Sequence, residues 1–287
     1  MVDPNARVSM SNHIKRLAKV GHILCFQEVH GYWGDILHSF KGWLPGWKIF
    51  GSPSLNPDGT TNHTSGGVVV AVCPTLASVA YFEEHYIVPG RALGLSILLG
   101  DEVLHVLNVH NFGLSITQVK LIGTFLSSVA NQVKVNPSAS FGVLLGDLNI
   151  KAQNEKSFKL GRNLELSTRD RGFINSFCHG HLLGLWRKIL QDWTEIVQPF
   201  PTHFCSSSLS CSRIDRGWVY CPSNLLIKLQ ASSHVVGSPE ELYGEGCSDH
   251  APVVLAFGKP GECKKTCSIP KIYLQESEFQ KVPGRVG

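Results

Sequence analysis

Apolar residues along this chain collect in short runs, and several of those runs stop on a polar side chain. Phe141-Gly-Val-Leu-Leu145 predicts a strand buried on both faces that closes at Gly146-Asp147-Leu148-Asn149. At a period of two, Asp147 and Asn149 project from the same side, so a carboxylate and a carboxamide stand together at the carboxyl end of a core strand. His22-Ile-Leu-Cys-Phe-Gln-Glu28 repeats the pattern and ends on an acid. The run from Val103 to His110 does so again, with Asn108 and His110 one pleat apart at its exit. Ser212 to Val219 carries Asp215 inside a strand, where an acid is unusual unless it is partnered. Cys247-Ser-Asp-His250 then introduces a last strand, Ala251–Phe257.

Other segments fill the space between these exits. Apolar residues at 14, 17 and 20 predict a short amphipathic helix from His13 to Val20, and similar spacing predicts helices over Tyr32–Leu44 and Ile116–Val133. Further strands are expected at Gly67–Cys73, Val79–Val88, Arg91–Leu99 and Leu225–Ala231. The opening Met1–Arg7 reads as a loop, and Gly51–Gly67, rich in Pro, Gly, Asn, Thr and Ser, as another. Beyond Gly258 the periodicity is lost, which divides the chain into a domain over residues 1–257 and a polar tail or linker over 258–287. Many short strands, few helices and polar groups at strand exits predict a layered α/β sandwich.

Composition narrows the field without deciding it. With 287 residues, 43% apolar residues, 28 Gly and 15 Pro, the chain is globular in character. A net charge of +4 permits a polyanionic partner, and residues 151–190, with eight Lys/Arg against three acids, form the most basic window. No run approaches the roughly 18 apolar residues of a membrane span, and the first 20 residues lack the apolar core of a secretory signal. An intracellular protein with no membrane partner and no obligate protein partner is expected. The nine cysteines are odd in number and scattered, as in a protein of reduced thiols. Cys205…Cys211 and Cys263…Cys267 lack the second half of a zinc site.

The polar exits together supply a reaction. Glu28, Asp249 and Asp147 offer the hard oxygen ligands that Mg²⁺ or Mn²⁺ prefers, and the absence of thiolates at the exits argues against zinc. Asp215 is suited to orient the His250 imidazole and raise its pKa. His110 adds a second acid–base group, while the amides of Asn108 and Asn149 can hold phosphate oxygens or water without adding charge. Metal, water, base and oxyanion donors are the parts of phosphodiester hydrolysis, with no covalent nucleophile required.

Phe26-Gln27-Glu28, Asn108-Val-His110, Gly146-Asp147-Leu148-Asn149, Ser212-Arg-Ile-Asp215 and Ser248-Asp249-His250, in that order, resemble the endonuclease/exonuclease/phosphatase superfamily. Gln27-Glu28-Val-His, Ile214-Asp215 and Ser248-Asp-His-Ala-Pro252 look most like the AP-endonuclease-like domains of non-LTR retroelements. The resemblance implies a DNase I-like four-layer α/β sandwich, two packed and mostly antiparallel sheets flanked by helices. It implies DNA as partner, a nuclear location, Mg²⁺ as cofactor with Mn²⁺ as substitute, and nicking that leaves a 3′-hydroxyl and a 5′-phosphate. By the same resemblance Glu28, Asp249 and Asn5 stand at the metal and Asp147 activates or positions the attacking water. Asn149 orients the phosphate, Asn108 also lies on the substrate side, and Asp215 supports His250 at the phosphate. Two features depart from that branch. His110 replaces the Tyr usual there and is more typical of DNase I, deadenylases, sphingomyelinases and inositol phosphatases, so a phosphatase or phosphodiesterase on a small or lipid phosphoester is the alternative. Only Met1–Pro4 precede Asn5, so the first core strand is expected to be truncated, and a truncated, inactive retroelement-derived domain is the third reading.

Overall fold

In a computed structural model, residues 4–150, 158–159 and 180–258 are described. The first half runs α1 (Pro4–Leu17), β1 (Ile23–Phe26), α2 (Trp33–Trp43), β2 (Lys48–Ser52), β3 (Val68–Val72), α3 (Pro74–Ala77), β4 (Tyr81–Val88), β5 (Ala92–Leu99) and β6 (Glu102–His110). Then follow α4 (Ile116–Val135), β7 (Ser140–Asp147), β8 (Phe158–Lys159), α5 (Gly180–Ile189), β9 (Thr194–Glu195), β10 (His203–Cys205), β11 (Ser210–Ser212) and β12 (Asp215–Tyr220). The described chain closes with α6 (Ser223–Leu229), β13 (Ser232–Val235), α7 (Pro239–Gly244) and β14 (Val253–Ala256).

Six strands form the central sheet in the order β4-β5-β6-β7-β12-β9. Every pairing in it is antiparallel except β6 with β7, which run parallel because α4 carries the chain back across the sheet. Ser115 opens α4 with a reciprocal capping box to Gln118, which fixes where the crossover helix starts. A smaller sheet, β1-β3-β2, lies against the central one. Phe50, Val68, Val70 and Val72 of the small sheet interlock with Leu93, Leu95, Ile97 and Val106 of the large one. Val69 and Ala71, on the opposite face of β3, meet Ile14, Ile36, Phe40 and Leu44 of α1, α2 and the turn after α2. The far face of the central sheet buries Leu107, Val109 and Leu144 under Val119, Ile122, Leu126 and Trp186 of α4 and α5. Helix, sheet, sheet and helix thus make the four layers expected.

β13 and β14 pair only with each other, and β14 packs across β12, where a Cβ on Gly217 would stand 2.7 Å from the Leu255 side chain. That contact brings the Ser248–His250 turn to the open end of β7 and β12. Gly146 is required for a different reason: β6 and β7 approach so closely there that any Cβ would collide with the Val109 carbonyl.

Two expectations about secondary structure are corrected. Met1–Arg7 was expected as a loop, but a helix already runs from Pro4, with proline in a position where its missing N–H costs nothing. No strand precedes α1 among the described residues, in line with the expected truncation of the first core strand, and Asn5 belongs to the first turn of α1, not to a strand exit. Leu225–Ala231 is helical over Ser223–Leu229, closed by Gln230 in the left-handed region at φ 46, and the strand comes later, at Ser232–Val235. A short apolar run fits either structure by periodicity, and Pro222 before it favours a helix start. The basic window lies outside the described residues except for 158–159 and 180–190, and the tail except for Gly258. Among the described residues no helix is long and apolar enough to cross a membrane.

Candidate active site

Strand pairing sets the site before any side chain is considered. His110, the last residue of β6, stands opposite Asp147, the last of β7, and Asp147 stands opposite Asp215, the first of β12. Three strands therefore deliver an imidazole and two carboxylates in one row across the sheet. The side-chain period of two makes that row depend on register, since a slip of one residue would turn each group to the other face.

Glu28 follows β1 in the left-handed region, at φ 54, and the next residue is anchored where the Val29 N–H donates to the Gly67 carbonyl. Gly67 itself sits at φ 97, and a Cβ there would strike the Val29 carbonyl, so only glycine allows the two segments to touch. His110 is buried between two partners. Arg91 Nη1, which can only donate, lies 2.7 Å from His110 Nδ1, and Nε2 lies 3.1 Å from Glu28 Oε1. Nδ1 accepts, so Nε2 carries the proton and donates it to Glu28. Burial, reinforced by the Arg91 charge, depresses the His110 pKa and keeps the ring neutral. The same hydrogen bond holds the Glu28 carboxyl down at about 2.

Asp147 is nearly enclosed. Its Oδ1 accepts from the Asn149 backbone N–H at 2.8 Å and its Oδ2 from Asn149 Nδ2 at 2.9 Å, a turn that places Asn149 at φ 49. Burial and the neighbouring Asp215 charge push the Asp147 carboxyl up to about 7. Across the row, His250 Nδ1 lies 3.0 and 3.2 Å from the two Asp215 oxygens. Burial alone would lower the His250 pKa, but the Asp215 carboxylate overcomes it and lifts the ring to about 10. Burial would likewise raise Asp215, and the His250 cation holds it below the ordinary value instead. The pair is therefore an imidazolium and a carboxylate at neutral pH. Thr202, wholly buried, accepts the backbone N–H of both Ile214 and Asp215 on its hydroxyl and fixes where β12 begins.

The sequence-derived site residues divide into three groups. Glu28, His110, Asp147, Asn149, Asp215 and His250 come together, and ligating atoms of Asp147, Asp215 and His250 lie within 4.8 Å of one another. Asp249 stands at the rim, its Oδ2 3.7 Å from His203 Nε2. Asn5 is held in α1, and Asn108 is removed from any substrate. Asn108 is 0% exposed, accepts from Gln27 Nε2 at 2.6 Å, and donates to the carbonyls of Phe26 and Val69, each at 3.0 Å. It fastens the two sheets together behind Glu28, and its substrate-side assignment is corrected on that ground. Arg91 and Thr202 were not singled out from the sequence. Arg91 had one signal, its place at the start of a strand expected to pair with the one ending at His110.

A hard divalent cation fits part of this donor set. Glu28 is ionised and its side chain is 48% exposed, and Asp249 is another exposed carboxylate. Among the described residues, no group of three or more ligating atoms within 4.8 Å of one another includes Glu28. One or two carboxylates, with water completing the shell, suffice for Mg²⁺.

Comparison with known proteins gives the fold a family. The model of the endonuclease/exonuclease/phosphatase family matches residues 3–250. No curated protein matches the chain. A humanised D. rerio TDP2 carrying 14 mutations is 12% identical with a TM-score of 0.52, covering 89% of this chain and 94% of its own. An AP endonuclease from Archaeoglobus fulgidus is 16% identical with a TM-score of 0.52, covering 88% and 96%. The endonuclease domain of TRAS1, a telomere-specific non-LTR retrotransposon, is 15% identical with a TM-score of 0.49, covering 89% and 93%.

Proposed function

The chain belongs to the endonuclease/exonuclease/phosphatase family, and from that premise we propose that it is a Mg²⁺-dependent nuclease that nicks DNA, leaving a 3′-hydroxyl and a 5′-phosphate. The observation that carries the reading is the row His110–Asp147–Asp215, completed by His250. The row offers what hydrolysis needs: a carboxyl that can take up a proton and, close by, a cation that can give a hydrogen bond.

Asp147, with its carboxyl near 7, is matched to withdrawing a proton from water at neutral pH, and Asn149 keeps it aimed. His250, charged by Asp215, donates to a phosphate oxygen as negative charge grows there. His110 stays neutral and holds Glu28 in place. Glu28 and Asp249 would hold the divalent ion, Mg²⁺ or Mn²⁺, which polarises a phosphoryl oxygen and stabilises the leaving oxygen when bound. The choice of DNA rests on the resemblance of the motif series to AP-endonuclease-like domains and on the cationic window 151–190. A nuclear location goes with the same reading and rests on the resemblance alone.

The test is plasmid nicking on intact and abasic duplexes, with Mg²⁺, with EDTA, and with Asp147→Ala. Single-strand nicks that a ligase can reseal are expected with Mg²⁺ alone. Nicking that persists in EDTA or in the variant overturns the mechanism. A phosphatase acting on small phosphoesters is the second reading, favoured by His110; phosphate released from inositol phosphates with no DNA cleavage would put it first.

A further inference from the structure

We propose that His203, Asp249 and His250 form a second cation site, suited to a borderline divalent ion such as Zn²⁺, and that filling it takes His250 away from phosphate. Their ligating atoms are within 4.8 Å of one another, and the site would share Asp249 with the Mg²⁺ ion proposed above and His250 with the row. All three are partly exposed, so an ion can enter from solvent.

The backbone organises this trio. His203, at the start of β10, forms an isolated antiparallel bridge with His250. Two hydrogen bonds bracket that bridge: Phe204 N–H donates to the Asp249 carbonyl at 2.8 Å and Ala251 N–H to the Thr202 carbonyl at 2.6 Å. The rings consequently lie side by side, tilted by 54° with centroids 4.7 Å apart, and His203 Nε2 stands 3.7 Å from Asp249 Oδ2. Asp215 occupies Nδ1 of His250 and leaves Nε2 as the ligating atom, the carboxylate–histidine arrangement that orients metal-bound imidazoles.

Donor chemistry separates this site from one for Mg²⁺. Two imidazoles and one carboxylate, with positions left for water, suit Zn²⁺ and its neighbours, whereas Mg²⁺ takes oxygen and retains its water. An ion that binds His250 Nε2 displaces its proton to solvent, and with it the hydrogen bond that this nitrogen would give to phosphate. Zinc would therefore inhibit. The inhibition rests on the proposed nuclease reading; the binding does not.

The experiment titrates the full chain with Zn²⁺ in Mg²⁺-containing buffer against a chromophoric chelator, for wild type, His203→Phe and His203→Asn, with nicking followed in parallel. Wild type is expected to bind one equivalent of Zn²⁺ that both variants hold about tenfold more weakly or worse, as for a site reduced to two protein ligands. The inhibitory Zn²⁺ concentration should rise by the same factor, while nicking in Mg²⁺ alone stays within about threefold of wild type, since His203 stands outside the nuclease machinery proposed above. In wild type, the ring ¹⁵N resonances of both His203 and His250 should shift on addition of one equivalent of Zn²⁺, a readout independent of whether the variants fold. Unchanged affinity in both variants, or ring resonances that do not move, overturns the site. Weakened binding with unchanged inhibition overturns the link to His250. Failure of every protein, wild type included, to nick DNA removes the nuclease reading and leaves the binding measurement to decide the site.

Discussion

Replacing Asn108 by alanine separates two roles that its place in the sequence left open. The wild-type side chain makes three hydrogen bonds inside the protein, one received from Gln27 and two given to the Phe26 and Val69 carbonyls. A buried hydrogen bond contributes about 1 kcal/mol net, so removing all three costs roughly 3 kcal/mol, with a further small term for the cavity. For a domain of this size each kcal/mol moves Tm by about 2–4 °C, giving a drop on the order of 6–12 °C. Asn108→Asp should do worse, because a carboxylate cannot donate to either carbonyl and is 0% exposed at this position. Urea unfolding monitored by tryptophan fluorescence, with the slope held constant, supplies the free energy. Activity should fall indirectly, as a raised Mg²⁺ requirement, because Gln27 leads directly into Glu28. A stability loss below about 1 kcal/mol combined with a large loss of kcat would refute the reasoning, for that is how a substrate contact behaves.

Two further outcomes follow from the charges in the row. Asp215→Asn should bring the His250 ring down from about 10 to well below that value, because the carboxylate that opposes the burial cost is gone; an NMR titration in which the ring still titrates near 10 would contradict it. Asp147 has its folded pKa raised from 3.8 to about 7, so the protonated form is favoured by folding. Its contribution to stability is full below pH 3.8 and is lost as pH rises through 7, and Asp147→Ala should flatten that part of the stability–pH curve in urea titrations at successive pH values.

Much of this architecture was legible in the sequence because the decisive strands are buried runs with a polar stop. β6 and β7 announced both their burial and their exits and the helix α4 its period, whereas β12 begins at Asp215, which was expected inside a strand starting at Ser212. What was missed depended on contacts across the chain. α6 and β13 changed places with expectation because a seven-residue apolar run carries no period long enough to separate helix from strand. Thr202 acts through one hydroxyl that caps two distant amides, and Arg91 acts through a ring nitrogen nineteen residues away. Asn108, one pleat from His110, was expected on the substrate side, but the second sheet closes over it. Neither local pattern nor composition encodes which face of a strand another sheet will cover.

The row across β6, β7 and β12 has a consequence for the order in which the protein acquires chemistry. Glu28, His110, Asp147, Asp215 and His250 are drawn from nearly the full length of the domain, and each is placed by a partner remote in sequence. A nascent chain emerging from the ribosome holds the carboxylates long before it holds the imidazolium that faces them. Until residue 250 has emerged and β14 has settled against β12, no partial product of translation possesses the complete set. Synthesis itself keeps the site incomplete until β14 is made.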